Sequence, residues 1–131
     1  MALTEWEAVE YLLGVIDEVR ELERLDHETC RFVFYAKDPA ATRPVPMLLS
    51  GTLGGGAIIA LAQVSGDHLN EAVAAAEHVP LAGLSTVGGA TWFLKSGTFK
   101  SVMDAPSLRN HIFVVALAHN HYSSLISQNQ S

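Results

Sequence analysis

The sequence has little cysteine and no concentration of basic residues, and each shortage excludes a class of protein. Cys30 is the only cysteine among 131 residues, which rules out an internal disulfide and indicates a reducing cytoplasm. The formal net charge is −6, and no cluster of Lys and Arg occurs anywhere in the chain. Because neutralising phosphates needs concentrated positive charge, we expect no nucleic-acid partner. The first residues lack a basic segment and an early apolar run, so no secretory signal is predicted.

Charge is also missing from one long stretch, between Arg43 and Asp67. A stretch of this kind belongs to a membrane span, a buried helix or a buried hairpin. Its first half contains Pro44, Pro46 and several glycines. Its continuous apolar part is far shorter than the ~20 residues that a membrane span requires. We therefore expect no membrane segment, and we predict a cytoplasmic protein.

The apolar part of this stretch favours a buried helix. Residues 57–62 and Val64 are apolar on every side of a helix, whereas a half-buried strand would alternate. Beyond Asp67 the pattern becomes amphipathic, and Pro80 ends it. The pattern predicts one helix from about Gly55 to His78, buried in its first half.

The flanking segments predict a helix before this one and strands on both sides of it. Residues 4–7 form a capping-box pattern ahead of an amphipathic helix that runs to about Leu25. Residues 29–35 are β-branched and aromatic, which is typical of a strand. After Pro80 we expect consecutive antiparallel strands. Leu84–Val87 and Ala90–Leu94 would form one strand bent at Gly88-Gly89, followed by a turn at Lys95-Ser96-Gly97. The later strands would be Phe99–Met103, His111–Ala118 and Ser124–Ser127. An alternative for the end of the chain is a helix over residues 112–126.

The composition indicates one domain with apolar surface to spare. A chain of 131 residues fits a single domain over residues 1–131. Hydrophobic residues make up 49% and charged residues 17%, which is richer in apolar residues than an average soluble domain. We therefore expect further apolar surface to be buried between subunits.

The order of these elements and their motifs resembles the hotdog-fold thioesterase-like superfamily. Gly51-Thr52-Leu53-Gly54-Gly55-Gly56-Ala57-Ile58 is similar to the Gly-Thr-Leu-His-Gly-Gly-Ala-Ile start of the central helix in the PaaI/4-hydroxybenzoyl-CoA thioesterase-like branch. Residues 84–97 resemble that branch's long strand and the turn after it, and residues 111–120 and 125–128 resemble its closing strands. The resemblance covers residues 44 to 129. It implies an α+β fold in which an antiparallel sheet wraps around a buried central helix, with an N-terminal amphipathic helix beside it.

The resemblance also implies a catalytic site at the start of the central helix. A backbone amide of Gly55 or Gly56 would polarise a thioester carbonyl and hold the oxyanion. Gly54 stands where the family has a histidine, and Gln63 stands where it has a helix carboxylate. Gln63 can orient a water but cannot accept a proton as a base does. Asp67, four residues further, would then activate the water.

Substrate and partner residues follow from the same resemblance. Ser85 or Thr86 would come from a partner subunit, and Trp92 would line an acyl tunnel together with Ile58 and Leu61. Lys95 would contact the phosphates of a coenzyme A. The expected substrate is an acyl-CoA or acyl-carrier thioester, and the expected assembly is a homodimer or homotetramer. No cofactor and no metal are expected, because two histidines at positions 119 and 121 identify no third ligand.

Three functions are compatible with these features. The first is a thioesterase-like hydrolase. The second is a catalytically inactive hotdog-like protein that binds an acyl or aromatic ligand, or only assembles. The third is a small assembly protein of another α+β fold, in which residues 112–126 are helical.

The enzyme hypothesis makes a direct prediction. Asp67→Asn removes the carboxylate that would activate water, so hydrolysis of a medium-chain acyl-CoA should be abolished in a steady-state thiol-release assay. Unchanged turnover would remove Asp67 from the mechanism.

Overall fold

The computed structural model describes residues 5–26, 29–35, 37, 43–51, 57–80, 82–87, 91–99 and 104–129. Within these residues the chain forms three α-helices, one 3-10 turn and six strands. In chain order they are α1 (Glu5–Gly14), β1 (Val19–Asp26), β2 (Thr29–Phe34), β3 (Val45–Ser50), β4 (Ala57–Val64), the 3-10 turn (Gly66–His68), α2 (Leu69–His78), β5 (Gly83–Val87), β6 (Thr91–Phe99) and α3 (Ala105–Asn129). The class is α+β. None of the described helices is both long enough and apolar enough to cross a membrane.

The six strands form one antiparallel sheet in the order β1-β2-β3-β4-β6-β5. Strand β4 lies inside the sheet, with Leu61 opposite Leu48 of β3 and Lys95 of β6. The connection after β4 carries α2, runs out to the edge strand β5 and returns as β6. This places α2 beside the β5 edge of the sheet.

The helices cover one face of the sheet. Helix α3 packs on β6, β4 and β3, α2 packs on α3 and β5, and α1 reaches α3 and β1. The core lies between α3 and alternate residues of the strands. On the sheet side these are Cys30, Phe32, Phe34, Val45, Met47, Leu49, Ile58, Ala60, Ala62, Val64 and Leu94. We call this the helix face and the opposite side the outer face.

The predicted central helix is wrong in its first half and confirmed in its second. Residues 57–64 form strand β4, and only residues 69–78 are α-helical. Ile58, Ala60, Ala62 and Val64 point to the helix face, whereas Leu61, also buried, points to the outer face. A strand that is apolar on both sides shows no alternation, so its pattern is the same as that of a buried helix.

The N-terminal helix is shorter than predicted. It ends at Gly14 rather than near Leu25, and Val19–Asp26 is an edge strand. Every residue from Arg20 to Asp26 is exposed, so β1 has no buried face to produce a period of two. Thr29–Phe34 is a strand as predicted.

The C-terminal strands are also wrong, and the helical alternative for residues 112–126 is correct. The Asp104 carboxylate accepts from the backbone N–H of Ser107 at 2.8 Å, which caps α3, and Pro106 lies in its first turn. Leu108, Ile112 and Val115 are buried at helical spacing on the sheet. The β-branched run in this segment is therefore the packed side of a helix.

Two smaller predictions in the strand region fail. Leu84–Leu94 is not one bent strand, because Leu84 of β5 lies opposite Leu94 of β6 in an antiparallel pair. Lys95-Ser96-Gly97 is not a turn, because these residues lie within β6. Gly88-Gly89, the segment 100–103 and Thr4 of the capping box lie outside the described residues.

An ion pair ties the start of α3 to the segment between α1 and β1. Arg109 donates from Nε to Glu18 Oε1 at 3.1 Å and from its terminal nitrogen to Oε2 at 2.7 Å. The Arg109 guanidinium carbon lies 4.5 Å from the Phe113 ring centroid and 5.9 Å from that of Phe34. The Arg109 hydrogen bond, followed by the Lys37 backbone N–H, holds the pKa of Glu18 below its ordinary value, although partial burial opposes this.

We expect Glu18→Gln to lower the free energy of unfolding by about 2 kcal/mol at pH 7, because a charged hydrogen-bonded pair loses one partner. The folded-state pKa of Glu18 is depressed, so its contribution is present above its unfolded pKa and is lost as pH falls through the folded one. Urea unfolding of wild type and variant at several pH values from 7 to 3 measures this difference.

The matched control is Asp17→Asn, which removes an exposed carboxylate 3.4 Å from the Lys37 ammonium. It should change stability by less than about 0.5 kcal/mol. A stability difference for Glu18→Gln that stays constant down to pH 3 would contradict the assignment.

Candidate functional site

The central helix predicted to begin near Gly55 is replaced by strand β4 from residue 57 onward. Gly55 and Gly56 fall outside the described residues, and the chain after them enters strand β4 rather than a helix. Because strand dipoles alternate and largely cancel, β4 does not present the positive end of a macrodipole. The physical reason for expecting an oxyanion amide before residue 57 therefore does not hold.

Three of the predicted residues share the outer face. Gln63, exposed near the end of β4, lies opposite Phe93 of β6, and Phe93 lies opposite Ser85 of β5. Lys95 lies on the same face, opposite Leu61 and Gly83. Gln63, Ser85 and Lys95 are thus neighbours on one surface.

The remaining predicted residues lie elsewhere. Asp67 is exposed in the 3-10 turn beyond β4, where its backbone N–H donates to Ser65 Oγ at 3.2 Å. Trp92 pairs with Val64 and Thr86 and packs against the core, on the helix face. Thr86 Oγ1 donates to the Thr91 carbonyl at 3.0 Å. The predicted site is therefore divided between the two faces and the end of the sheet.

The proposed acyl tunnel is divided in the same way. Ile58 and Trp92 are on the helix face, whereas Leu61 is on the outer face. These three side chains cannot line one channel through this chain.

The outer face has an apolar centre bordered by cations. One row across the sheet reads Arg31, Leu48, Leu61 and Lys95. Leu61 is only 3% exposed and Phe93 only 7%, yet neither belongs to the core cluster under the helices. A shallow groove of about 180 Å³ runs over this centre. Its lining residues are Arg31, Pro46, Met47, Leu48, Leu61, Gln63 and Phe93.

Nothing among the described helices lies on this face, because all three pack on the other one or at its margin. Long charged side chains border the outer centre. Arg31 pairs with Glu23 across the β1–β2 hairpin, and the Lys95 side chain lies beside Gly83 of β5. The apolar groove lies over the centre of this face.

The helix face contains polar pairs that are buried and structural. Ser96 Oγ lies 2.9 Å from His111 Nδ1, but Ser96 is only 4% exposed and cannot receive a substrate. The Tyr122 hydroxyl accepts from the Ser65 backbone N–H at 2.9 Å. Burial lowers the pKa of His119, and a hydrogen bond with the backbone of Gln63 opposes the change. No group of three or more metal-ligating side chains occurs within the described residues.

Comparison with protein-family models, with curated proteins and with solved structures gave no match.

The apolar outer centre was not anticipated from the sequence. Phe93 lies in a predicted strand, whereas strand β3 with Leu48 is not predicted, and the sequence assigns neither residue a role on this face. A signal was present in residues 57–64, whose lack of alternation means that both sides of β4 are apolar. It was interpreted as a helix instead.

Cys30 is placed where its thiol is unreactive. It is 1% exposed beneath Glu10, and burial, followed by the Glu10 carboxylate, raises the pKa of Cys30 to about 12.

We therefore expect no reaction of the native protein with an aromatic disulfide reagent at pH 8, and one equivalent of reaction after unfolding in urea. Added Ser124→Cys, at an exposed position, should react in the native state and serves as the control. Rapid native labelling of wild type would show that Cys30 is accessible.

Proposed function

We propose that the protein is a non-enzymatic assembly module that joins two copies of this chain through the outer faces of their sheets. One observation carries the proposal: β4 is apolar on both faces, whereas the helices cover only one. In an antiparallel sheet with one solvated face, the strands alternate between apolar and polar residues. Leu48, Leu61 and Phe93 break that rule on the outer face.

The size of the face supports a dimer. Six strands at ~4.8 Å spacing and about six residues at ~3.4 Å rise give roughly 600 Å² of flat area per copy. Two copies would bury about 1,200 Å², which is the lower end of the range for stable interfaces. The apolar centre with a polar border also follows the usual anatomy of an interface.

The charges on this face do not oppose self-association. The chain has a net charge of −6, but its excess carboxylates are not concentrated here. On the outer face, Arg20, Arg31 and Lys95 accompany Glu23. Like-charge repulsion between acidic surfaces is therefore weakest where the two copies would meet.

Face-to-face packing is favoured over pairing at the β1 edge. Strand β1 carries charges along its length, two register shifts against β2, and Glu21 at φ 57°. Charges and bulges of this kind prevent an edge strand from pairing with another chain. The outer face has no comparable obstacle over Leu48 and Leu61.

A hotdog-like arrangement is part of the proposal. A six-stranded antiparallel sheet packed on a helix is compatible with it, provided that α3 takes the place of the central helix. Homodimer and homotetramer both remain predictions, since a second contact between dimers would use surfaces other than the outer face.

Thioester hydrolysis remains a prediction that the described geometry does not favour. Gln63 lies on β4, whereas Asp67 lies in the 3-10 turn that leads into α2, so the two side chains belong to different elements. The assembly proposal does not depend on the outcome of the Asp67→Asn assay.

Leu48→Glu tests the interface. The new carboxylate would lie beside Arg31 within one chain, so the fold should be kept, but a buried charge would oppose the dimer. Sedimentation velocity should show a dimer for wild type and a dissociation constant raised at least about 30-fold in the variant, which corresponds to ~2 kcal/mol.

Val73→Glu is the matched control, because Val73 is 43% exposed on α2, away from the outer face. It receives the same charge change and should remain dimeric. A wild-type chain that is monomeric at ~100 μM, or equal dissociation of both variants, would refute the proposed interface.

A further inference from the structure

A second surface lies on the helical side of the molecule, separate from the outer face. A cleft of about 530 Å³ opens between the end of α2, the middle of α3 and the segment before β3. Clefts that bind small molecules fall within roughly 300–1,000 Å³. Its lining residues are Arg43, His78, Val79, Pro80, Leu117, Asn120, His121 and Ser124.

Two imidazoles form one wall of the cleft. His78, the last residue of α2, stacks on His121 of α3 with ring centroids 4.0 Å apart and planes 11° from parallel. The nearly parallel rings are held by different helices, so the stack joins α2 to α3 at this point. Parallel rings do not converge on a tetrahedral metal, and the described lining residues supply no third ligand.

The position of Arg43 is fixed by α3. The backbone N–H of Arg43 donates to Asn120 Oδ1 at 3.2 Å, and Asn120 Nδ2 donates to the Ala116 carbonyl at 2.9 Å. The hydrogen bond to Asn120 involves only the backbone of Arg43, and its guanidinium takes no part in it. A cationic residue is thus held at the cleft that the two histidines also line.

The polar groups on this lining are mostly donors, and no carboxylate is among the described lining residues. Arg43, the two imidazoles and the Ser124 hydroxyl can donate, while Val79, Pro80 and Leu117 supply apolar surface. A cavity with a cationic rim and an apolar wall is complementary to a small molecule that has an oxyanion group on an apolar body.

We propose that this cleft binds a small organic anion, with a carboxylate or phosphate group held by Arg43, His78 and His121 and an apolar body against Leu117, Val79 and Pro80. A bound anion would offset the unfavourable free energy of placing a positive charge on His121. Desolvation, followed by the charge of His78, lowers the pKa of His121, so the two rings resist being charged together. A bound anion opposes both effects, and protons and anion therefore bind cooperatively.

The pH dependence follows from this linkage. His121 stacks on His78 from α2, and Arg43 from the segment before β3 lines the same cleft. Burial, followed by the charge of His78, lowers the pKa of His121. Anion binding raises the pKa of His121, so affinity should increase as pH falls from 7.5 to 5.5, by at least about 5-fold.

The test uses full-length protein and three aromatic probes of similar shape: benzoate, phenyl phosphate and neutral benzyl alcohol. Titrations followed by the histidine ring resonances should show saturable shifts of His78 and His121 with one or both anions. His68, which lies near Glu71 at the start of α2, is the internal control and should not move. Which anion binds more tightly distinguishes a carboxylate from a phosphate ligand.

Arg43→Gln should weaken anion affinity at least about 10-fold, since the charged donor is lost while the backbone bond to Asn120 remains. Lys37→Gln, which removes an exposed cation elsewhere, should not change the affinity. His121→Gln should weaken the pH dependence, since only the imidazole of His78 would remain in the site. If that variant does not fold, Arg43→Gln together with the wild-type titrations still decides the question.

Several outcomes would overturn the proposal. These are equal binding of benzyl alcohol, equal shifts of His68, no saturation with either anion up to ~20 mM, or an affinity unaffected by Arg43→Gln. Binding of Zn²⁺ at His78 and His121 with no binding of either anion would replace the anion site with a metal site. The oligomeric state does not enter any of these readouts, so failure here is distinct from failure of the proposed interface.

Discussion

The burial of β4 on both of its faces is the constraint from which the rest of this molecule follows. On the helix face, Ile58, Ala60 and Ala62 have small or compact side chains that let α3 approach the sheet closely. On the outer face, Leu61 belongs to a separate apolar group together with Leu48 and Phe93. The described helices lie on the first face only. The apolar composition of this interior strand on its second face is the observation on which the proposed dimer rests.

Polar contacts at both ends of α3 determine how it crosses the sheet. Near its start, Arg109 binds Glu18 and lies over the Phe113 ring. Further along, the Tyr122 hydroxyl accepts from the backbone of Ser65, just after β4. Apolar packing alone is non-directional and would allow α3 to slide or rotate over β4. Directional bonds at the two ends remove that freedom, and they hold His121 in a fixed position beside α2.

The secondary structure is predictable from the sequence where burial makes apolar and polar residues alternate with a regular period. β2 alternates between buried and more accessible residues, and its strand was predicted correctly. The second half of the predicted central helix is amphipathic and was also correct. β4 is apolar on both sides and β1 is exposed on both, so neither shows a period of two, and both were assigned to helices. In α3 the β-branched run predicts strands, whereas Asp104 and Pro106 at its start are signals of a helix that were not used in the prediction. The positions of the predicted site residues depend on the fold. Because residues 57–64 are a strand and not a helix, Gln63, Ser85 and Lys95 lie on one face of the sheet. Asp67 and Trp92 lie elsewhere.

The two proposed surfaces lie on opposite sides of the sheet. The proposed interface is the outer face, and the cleft lies beside α3 on the helical side. Dimerisation would cover Leu48 and Leu61 and leave the cleft beside His121 open, so both events can occur in one assembly. They are also physically connected, because β4 carries Leu61 on one side and, through Ser65, bonds Tyr122 of α3. His121 is the next residue to Tyr122, and its ring stacks on α2. Any change in the stack of His78 and His121 therefore acts on the helix that fixes the end of β4.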